Sequence, residues 1–234
     1  MEIKGSKILI TGGSLGIGRV TAEMLINKGA EVIITGRNKG RLDTVANKIG
    51  AIPFVADVSD PEMIKDTYHF IEKTWGSFDC LINNAGIGSR FSNLADVTED
   101  EFLEVYKVNV IGAALMAKHA AEIFKNQKYG NIINISSTAG KKGFERGTVY
   151  ASSKFALRGM TECWQAELRK YNIRVILVNP SEVTTAFGND ERIEREEKPN
   201  RLRSQEIAHT IVSSLEMDDR GFIPEVTVFA TNPW

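Results

Sequence analysis

Tyr150 and Lys154, in the stretch VYASSKFAL, stand four residues apart, a spacing that stacks two side chains on one face of a helix. A tyrosine hydroxyl titrates near a pKa of about 10 and exchanges protons usefully at neutral pH only if its phenolate is stabilised, which an adjacent ammonium can do. Thirteen residues before Tyr150, Ser137 closes the run NIINISS, at the carboxyl edge of a strand, where α/β sheets bind ligands. A second such edge carries NNAG, Asn83 to Gly86, directly after FDCLI. Near the start, TGGSLGIG fits two chemistries at once. Gly12, Ser14 and Gly16 spell the G-x-S-x-G elbow of a serine hydrolase. Gly12, Gly16 and Gly18 equally spell a glycine-rich turn for a dinucleotide pyrophosphate. Both readings ask for a strand, a turn and then a helix.

The elements that must position these residues are legible as short apolar runs: KILIT, EVIIT, IPFVA, FDCLI, NIINI, IRVILV and FIPEVTVF. Several are continuous β-branched runs, as strands buried on both faces require. Helical patterns lie between them, such as GIGRVTAEMLINKG with Ile17, Val20, Met24 and Leu25 on one face, and long stretches over residues 99–127 and 148–171. Repeated β-α-β units predict an α/β fold: a single-domain, Rossmann-type, doubly wound parallel sheet of about seven strands flanked by helices, spanning residues 1–234. Composition is that of a soluble globular chain, with 29 basic and 30 acidic residues and a net charge of −1, so nothing points to nucleic acid. No apolar run approaches the roughly 18 residues of a membrane span. The opening MEIKGSKILITGG lacks the layout of a signal peptide, so a cytoplasmic protein without membrane partners is expected. Cys80 and Cys163 have neither C-x-x-C spacing nor a neighbouring histidine; both read as buried packing residues, and no metal site is expected. The polar run NDERIEREEKPNRLR, residues 189–203, mixes its charges and reads as a solvated loop or small helix.

The hydrolase reading fails on its partners. It needs strands before the elbow and a histidine on a loop beyond a late strand. Here the turn follows the first strand, and His69, His119 and His209 all sit in helical patterns. In the dinucleotide reading Gly12 permits the tight turn, Gly16 lets backbone approach phosphate and Gly18 lets the helix pack closely. The helix N-terminus then faces the pyrophosphate.

Taken in order, TGGSLGIG, NNAG, Asn109 in YKVNVIG, NISS, Tyr150-Ala-Ser-Ser-Lys154 and NPSEVTT resemble the short-chain dehydrogenases/reductases from Lys7 to Thr185. The resemblance implies that Ser137 hydrogen-bonds the substrate oxygen and Tyr150 exchanges its proton. It implies that Lys154 grips the nicotinamide ribose and lowers the Tyr150 pKa, while Asn109 holds the water of a proton relay. Cofactor contacts are implied at Gly12, Ser14, Gly16, Ile17 and Gly18, at Asp57 and Val58 beside the adenine, at Asn83, Ala85 and Gly86 beside the ribose, and at Thr185. Two departures stand out: Ser181 replaces the glycine usual after the proline, and the ending FIPEVTVFATNPW lacks the V-D-G-G common in family tetramers.

At the end of the second strand, IITGRN places Gly36 where an acid would hold a ribose 2′-hydroxyl, and Arg37 follows. A guanidinium pairs with a 2′-phosphate, so NADP(H) is expected over NAD(H). The expected activity is hydride transfer between this cofactor and a ketone or secondary alcohol, with 3-oxoacyl-carrier-protein reductase as the narrower form. The other class is a non-catalytic NADP(H) sensor of the same fold. The substrate would be framed by residues 88–98, 138–149 and 184–203, with Phe144 as an apolar wall and Lys141, Lys142 and Arg146 facing solvent or an acidic carrier. The two long helices are expected to pair with a neighbour's copies in a homodimer or homotetramer.

Overall fold

The apolar runs become strands because their β-branched side chains find partners on both faces of a sheet. The computed structural model describes residues 1–188 and 193–234. Among these, the strands are β1 (Lys7–Ile10), β2 (Glu31–Gly36), β3 (Ile52–Val55), β4 (Cys80–Asn83), β5 (Gly130–Ile135), β6 (Ile173–Pro180) and β7 (Glu225–Val228). They form one sheet in the order β3-β2-β1-β4-β5-β6-β7, parallel throughout. The order reverses beside β1. Loops leaving β1 and β4 therefore part to opposite faces and open a crevice at the carboxyl edge.

The pleat divides the core. Ile8, Ile10, Val32 and Ile34 point to the face covered by α1 (Gly16–Asn27), α2 (Lys39–Ile49) and α7 (Ser204–Glu216). Leu9, Ile33, Ile132 and Val175 point to the other, against α3 (Pro61–Trp75), α5 (Ala113–Gln127) and α6 (Thr148–Leu168). Local signals start the helices: Pro61 opens α3 behind Asp60, whose Oδ1 accepts from Glu62 N at 2.9 Å. Thr98 Oγ1 accepts from Glu101 N at 3.2 Å at the head of α4 (Glu99–Tyr106).

The sequence predicts a long helical stretch over residues 99–127. The chain instead runs through α4, a π-helical turn at Lys107–Gly112 and then α5. Such turns are inserted single residues that cluster at functional sites. Here Gly112 is where the helix crosses the segment after β3, and a Cβ there would overlap the Val58 carbonyl oxygen.

One packing expectation is corrected. Cys80 is buried, but Cys163 is exposed. The inward stripe of α6 runs through Leu157, Thr161 and Leu168, and Cys163 lies two residues past Thr161, about 200° round the helix. His69, His119 and His209 lie in α3, α5 and α7 as expected. Of the polar run, residues 189–192 lie outside the described residues; residues 193–200 form an exposed, non-helical loop. Among the described residues no helix is long and apolar enough to cross a membrane.

Candidate active site

A cleft of about 1560 Å³ opens along the carboxyl edge, walled by the loops that follow β1, β2, β4, β5 and β6. Its floor is sewn together by Thr11 and Asn84. Thr11 Oγ1 accepts from the backbone N–H of Asn84 (3.1 Å) and of Ala85 (3.0 Å), and Asn84 Nδ2 donates to the carbonyls of Thr11 (2.9 Å) and Gly12 (3.1 Å). Gly12 turns there at φ +66°, and a Cβ would stand 2.9 Å from Ala85 Cα, so only glycine suits both the conformation and the space. A Cβ on Gly18 would meet Asn84 Nδ2 and the Gly12 carbonyl at 2.5 Å, which makes Gly18 a packing residue beneath the turn. The α1 N-terminus already attracts an anion: Gly16 N donates to Glu194 Oε1 at 3.2 Å, and Arg19 holds the same carboxylate at 3.4 Å.

Ser14, Gly16, Ile17, Arg37, Asp57 and Val58 line one end of the cleft. Arg37 Nη1 stands 3.7 Å from Asp57 Oδ2, with 57% of its side chain exposed. A pair that open to water is worth well under about 1 kcal/mol and leaves the guanidinium available. The sequence reading missed Arg41, which lines the same end from the first turn of α2, where its backbone N–H is capped by Asn38 Oδ1 at 2.9 Å. The signal was present in GRNKGRL, two arginines one helical turn apart across a capping asparagine.

Ala85, Gly86, Ser137, Tyr150, Lys154 and Thr185 line the other end. Ser137 follows β5 directly, and its Oγ accepts from Ala139 N at 3.1 Å, capping a short 3₁₀ turn at Thr138–Gly140. Tyr150 and Lys154 occupy successive turns of α6, with Lys154 Nζ donating to the Ile135 carbonyl at 3.0 Å and lying 5.8 Å from the centre of the Tyr150 ring. Burial pushes the Tyr150 phenol up to about 12, against which a Ser137 hydrogen bond acts in the opposite direction. Burial likewise pushes the Lys154 ammonium down to about 8. Desolvation disfavours both charged forms, and the Lys154 ammonium donates to the Ile135 carbonyl. Ser181 replaces the usual glycine without strain: its N–H closes on the Val228 carbonyl at 2.9 Å and its φ is not positive.

Lys154 gives a pH-dependent prediction. Its side chain is buried, so below pH 8 the folded protein carries a desolvated ammonium that the unfolded chain, titrating near 10.5, keeps in water. That cost is present in full below about pH 8 and is relieved as pH rises towards 10.5, where the unfolded chain binds the extra proton. Lys154→Met should therefore stabilise the nucleotide-free protein by about 1–2 kcal/mol at neutral pH, part of the gain being offset by the Ile135 carbonyl left without its donor. Urea unfolding with and without the substitution at pH 7 and pH 10 checks this. A less stable variant at neutral pH would contradict it.

Three residues named from the resemblance do not line the cleft: Gly18, already placed beneath the turn, Asn83 and Asn109. Asn83 is a correction: it points beneath the sheet edge, its Nδ2 donating to Ala113 O (3.1 Å) and Asn134 Oδ1 (3.0 Å), and Asn134 passes the chain on to Thr161 at 2.8 Å. This buried network ties β4 and β5 to α6 and so fixes the helix that bears Tyr150. Asn109 sits in the π turn. Its Oδ1 accepts from Ile87 N and its Nδ2 donates to Ile87 O, both at 2.9 Å, and Nδ2 also donates to Ser153 Oγ at 3.1 Å. The carboxamide thus clamps the loop that follows NNAG onto α6. Also unforeseen were Phe91 and Phe187, whose rings flank Tyr150 with centroids 6.1 and 5.6 Å away. They come from separate loops, and no local spacing marks them.

Comparison with known proteins places these features. The family model described as short chain dehydrogenase matches residues 6–196. A Staphylococcus aureus (strain MRSA252) protein called an uncharacterized oxidoreductase is 30% identical over 97% of this chain and 99% of its own length. The 3-oxoacyl-[acyl-carrier-protein] reductase FabG of Thermotoga maritima is 34% identical over 79% of this chain and 77% of its own. A metagenomic short-chain oxidoreductase solved in complex with NADP superposes with a TM-score of 0.84 at 30% identity, covering 97% of this chain and 98% of that one.

Proposed function

The chain belongs to the short-chain dehydrogenase family, and from that premise we propose that residues 1–234 act as one dinucleotide-binding domain interconverting a ketone and its secondary alcohol, with NADP(H) preferred over NAD(H). The observation that carries the reading is the convergence of Ser137, Tyr150 and Lys154 on one wall of a cleft whose other end offers a glycine turn, a helix N-terminus and two arginines. These residues fit a nicotinamide dinucleotide: the turn has no room for a Cβ at Gly12, and the α1 N-terminus already holds a carboxylate.

In this reading Gly16, with Ser14 and Ile17 beside it, would hold the pyrophosphate where the Glu194 carboxylate now sits, and Arg37 with Arg41 would receive the 2′-phosphate. Asp57 and Val58 border the adenine; Ala85, Gly86, Lys154 and Thr185 hold the nicotinamide half. What the bound dinucleotide supplies is a hydride, the two electrons that turn C=O into CH–O⁻. Everything else falls to the chain. Ser137 donates a hydrogen bond to the carbonyl oxygen, and Tyr150 delivers the proton that completes the alcohol. Its high pKa keeps that proton in place at neutral pH, which suits the reducing direction. Asn109 and Asn83 act through position, the first by fixing residue 87 against α6, the second by fixing α6 on the sheet.

NADPH absorbance with a panel of ketones tests the reading. Turnover dependent on Ser137 and Tyr150 is expected; NADPH binding with no turnover on any ketone would favour the sensor of the same fold. Leu103, Ile111 and Phe155 stand exposed on α4, the π turn and α6, which supports pairing of two chains there as a homodimer or within a homotetramer. Light scattering should return two or four times 25.9 kDa, and a strict monomer would end that reading.

A further inference from the structure

Three loops bring three phenylalanines to the catalytic tyrosine. Phe91, from the loop after β4, meets Tyr150 edge-on at 6.1 Å between ring centres and Phe144 at 5.9 Å. Phe187, from the loop after β6, lies 5.6 Å from Tyr150. All three line the cleft. Phe144 keeps 47% of its surface exposed, an apolar ring standing open at the mouth.

Phe91 is held there against its own backbone preference. Its φ is +57°, a left-handed conformation that costs a bulky residue on the order of 1 kcal/mol. The loop is fixed by a buried carboxylate: Arg90 N donates to Glu101 Oε1 at 3.0 Å, and Phe91 N donates to Ser89 Oγ at 3.3 Å. Strain retained by such anchoring marks a side chain aimed for a purpose.

Several charged groups nearby have partners within the chain. Lys141, at the same mouth, is 2.9 Å from Glu225 Oε1, Glu182 is 2.9 Å from Arg201, and Arg195 donates to the Phe187 carbonyl at 2.9 Å. Lys141 shares that carboxylate with Arg158, whose Nε is 3.4 Å from Glu225 Oε2.

We infer that the substrate is a ketone, or its alcohol, bearing a planar ring next to the reacting carbon, and that Phe91, Phe144 and Phe187 form the box that receives the ring. The inference rests on the oxidoreductase reading above and narrows its substrate class. Ring–ring contacts of this kind make each phenylalanine worth roughly two- to tenfold in kcat/KM.

The test compares acetophenone with the straight-chain acetoacetyl thioester of N-acetylcysteamine, in the wild type and in Phe91→Gly and Phe187→Ala. Glycine relieves the positive φ at residue 91, so Phe91→Gly removes the ring without a folding penalty from the backbone, and its melting temperature should stay close to that of the wild type. The wild type should favour acetophenone by at least about tenfold in kcat/KM, and each variant should lower that ratio by about two- to tenfold. A wild type that prefers the thioester, or variants that leave the ratio unchanged, would overturn the ring box while leaving the oxidoreductase reading intact. If no ketone is turned over, that reading falls instead. Saturation-transfer NMR of 1-phenylethanol then decides the box alone: ring signals that saturate on the wild type and fade with Phe91→Gly uphold it, and signals absent or unchanged overturn it.

Discussion

Tyr150→Phe should lower kcat for ketone reduction by about 10²–10⁴-fold while leaving the dissociation constant for NADPH within about twofold. The substitution deletes one hydroxyl and keeps the ring that touches Phe91 and Phe187 and lies 5.8 Å from Lys154 Nζ. Packing is preserved, so the loss reads as proton transfer alone. Negative charge develops on the carbonyl oxygen only as reduction proceeds, and interactions that strengthen towards that point raise kcat rather than binding. Ser137 can still donate a hydrogen bond, but its hydroxyl does not give up its proton at neutral pH, so it does not replace the tyrosine. Because burial holds the Tyr150 phenol up to about 12, the acid form persists across the physiological range, and alcohol oxidation, which needs the phenolate, should speed up as pH rises. Near-normal kcat for the phenylalanine variant on a proven substrate would place the proton donor elsewhere.

Arg37→Asp should reverse the cofactor preference, weakening NADPH by about 10²-fold and improving NADH, while Arg41→Ala should weaken NADPH alone by about tenfold. Hydrogen bonds to a charged partner contribute about 1.5–3 kcal/mol, which sets this scale. The larger effect at residue 37 has two sources. The substitution removes a guanidinium and also brings a second carboxylate beside Asp57, whose Oδ2 now lies 3.7 Å from Arg37 Nη1. Two carboxylates at that edge repel a 2′-phosphate and accept hydrogen bonds from a 2′-hydroxyl. Dissociation constants for both cofactors by fluorescence titration check the prediction; a wild type that binds NADH at least as tightly as NADPH would refute it.

Strand identity was readable because burial on both faces leaves a local mark. Ile132 and Ile133 in β5 and the run Val175 to Val178 in β6 are apolar on both faces because each face packs on helices, and the buried polar residues Asn134 and Arg174 beside them are hydrogen-bonded. The glycine turn, Ser137, Tyr150 and Lys154 were readable because backbone geometry and helix spacing constrain them within a few residues. What escaped depends on contacts between distant segments. Asn83 belongs to a network with Asn134 and Thr161, 51 residues away in the first step and 27 in the next, and its sequence position beside Asn84 could not say which of the two faces the cleft. The π turn escaped because VNVIG is compatible with an ordinary helix; only the approach of Gly112 to Val58 and the grip of Asn109 on residue 87 distinguish it. Cys163 was misread from residue type alone, although the stripe Leu157–Thr161 already places it outward.

An α-helix advances about 100° per residue, and a π turn stores one residue more than an α path needs. Loss of a single codon anywhere within Lys107–Gly112 would let the chain run straight from α4 into α5, with better local geometry than before. The repair would be ruinous. Either the inward stripe of α5, with Met116, Ala120 and Phe124, would swing by about 100° off the sheet, or α4 would take up the rotation and carry Asn109 away from residue 87. A one-codon deletion in this segment is therefore closed to a protein that keeps its site, and the length of Lys107–Gly112 is constrained as tightly as the identity of Tyr150.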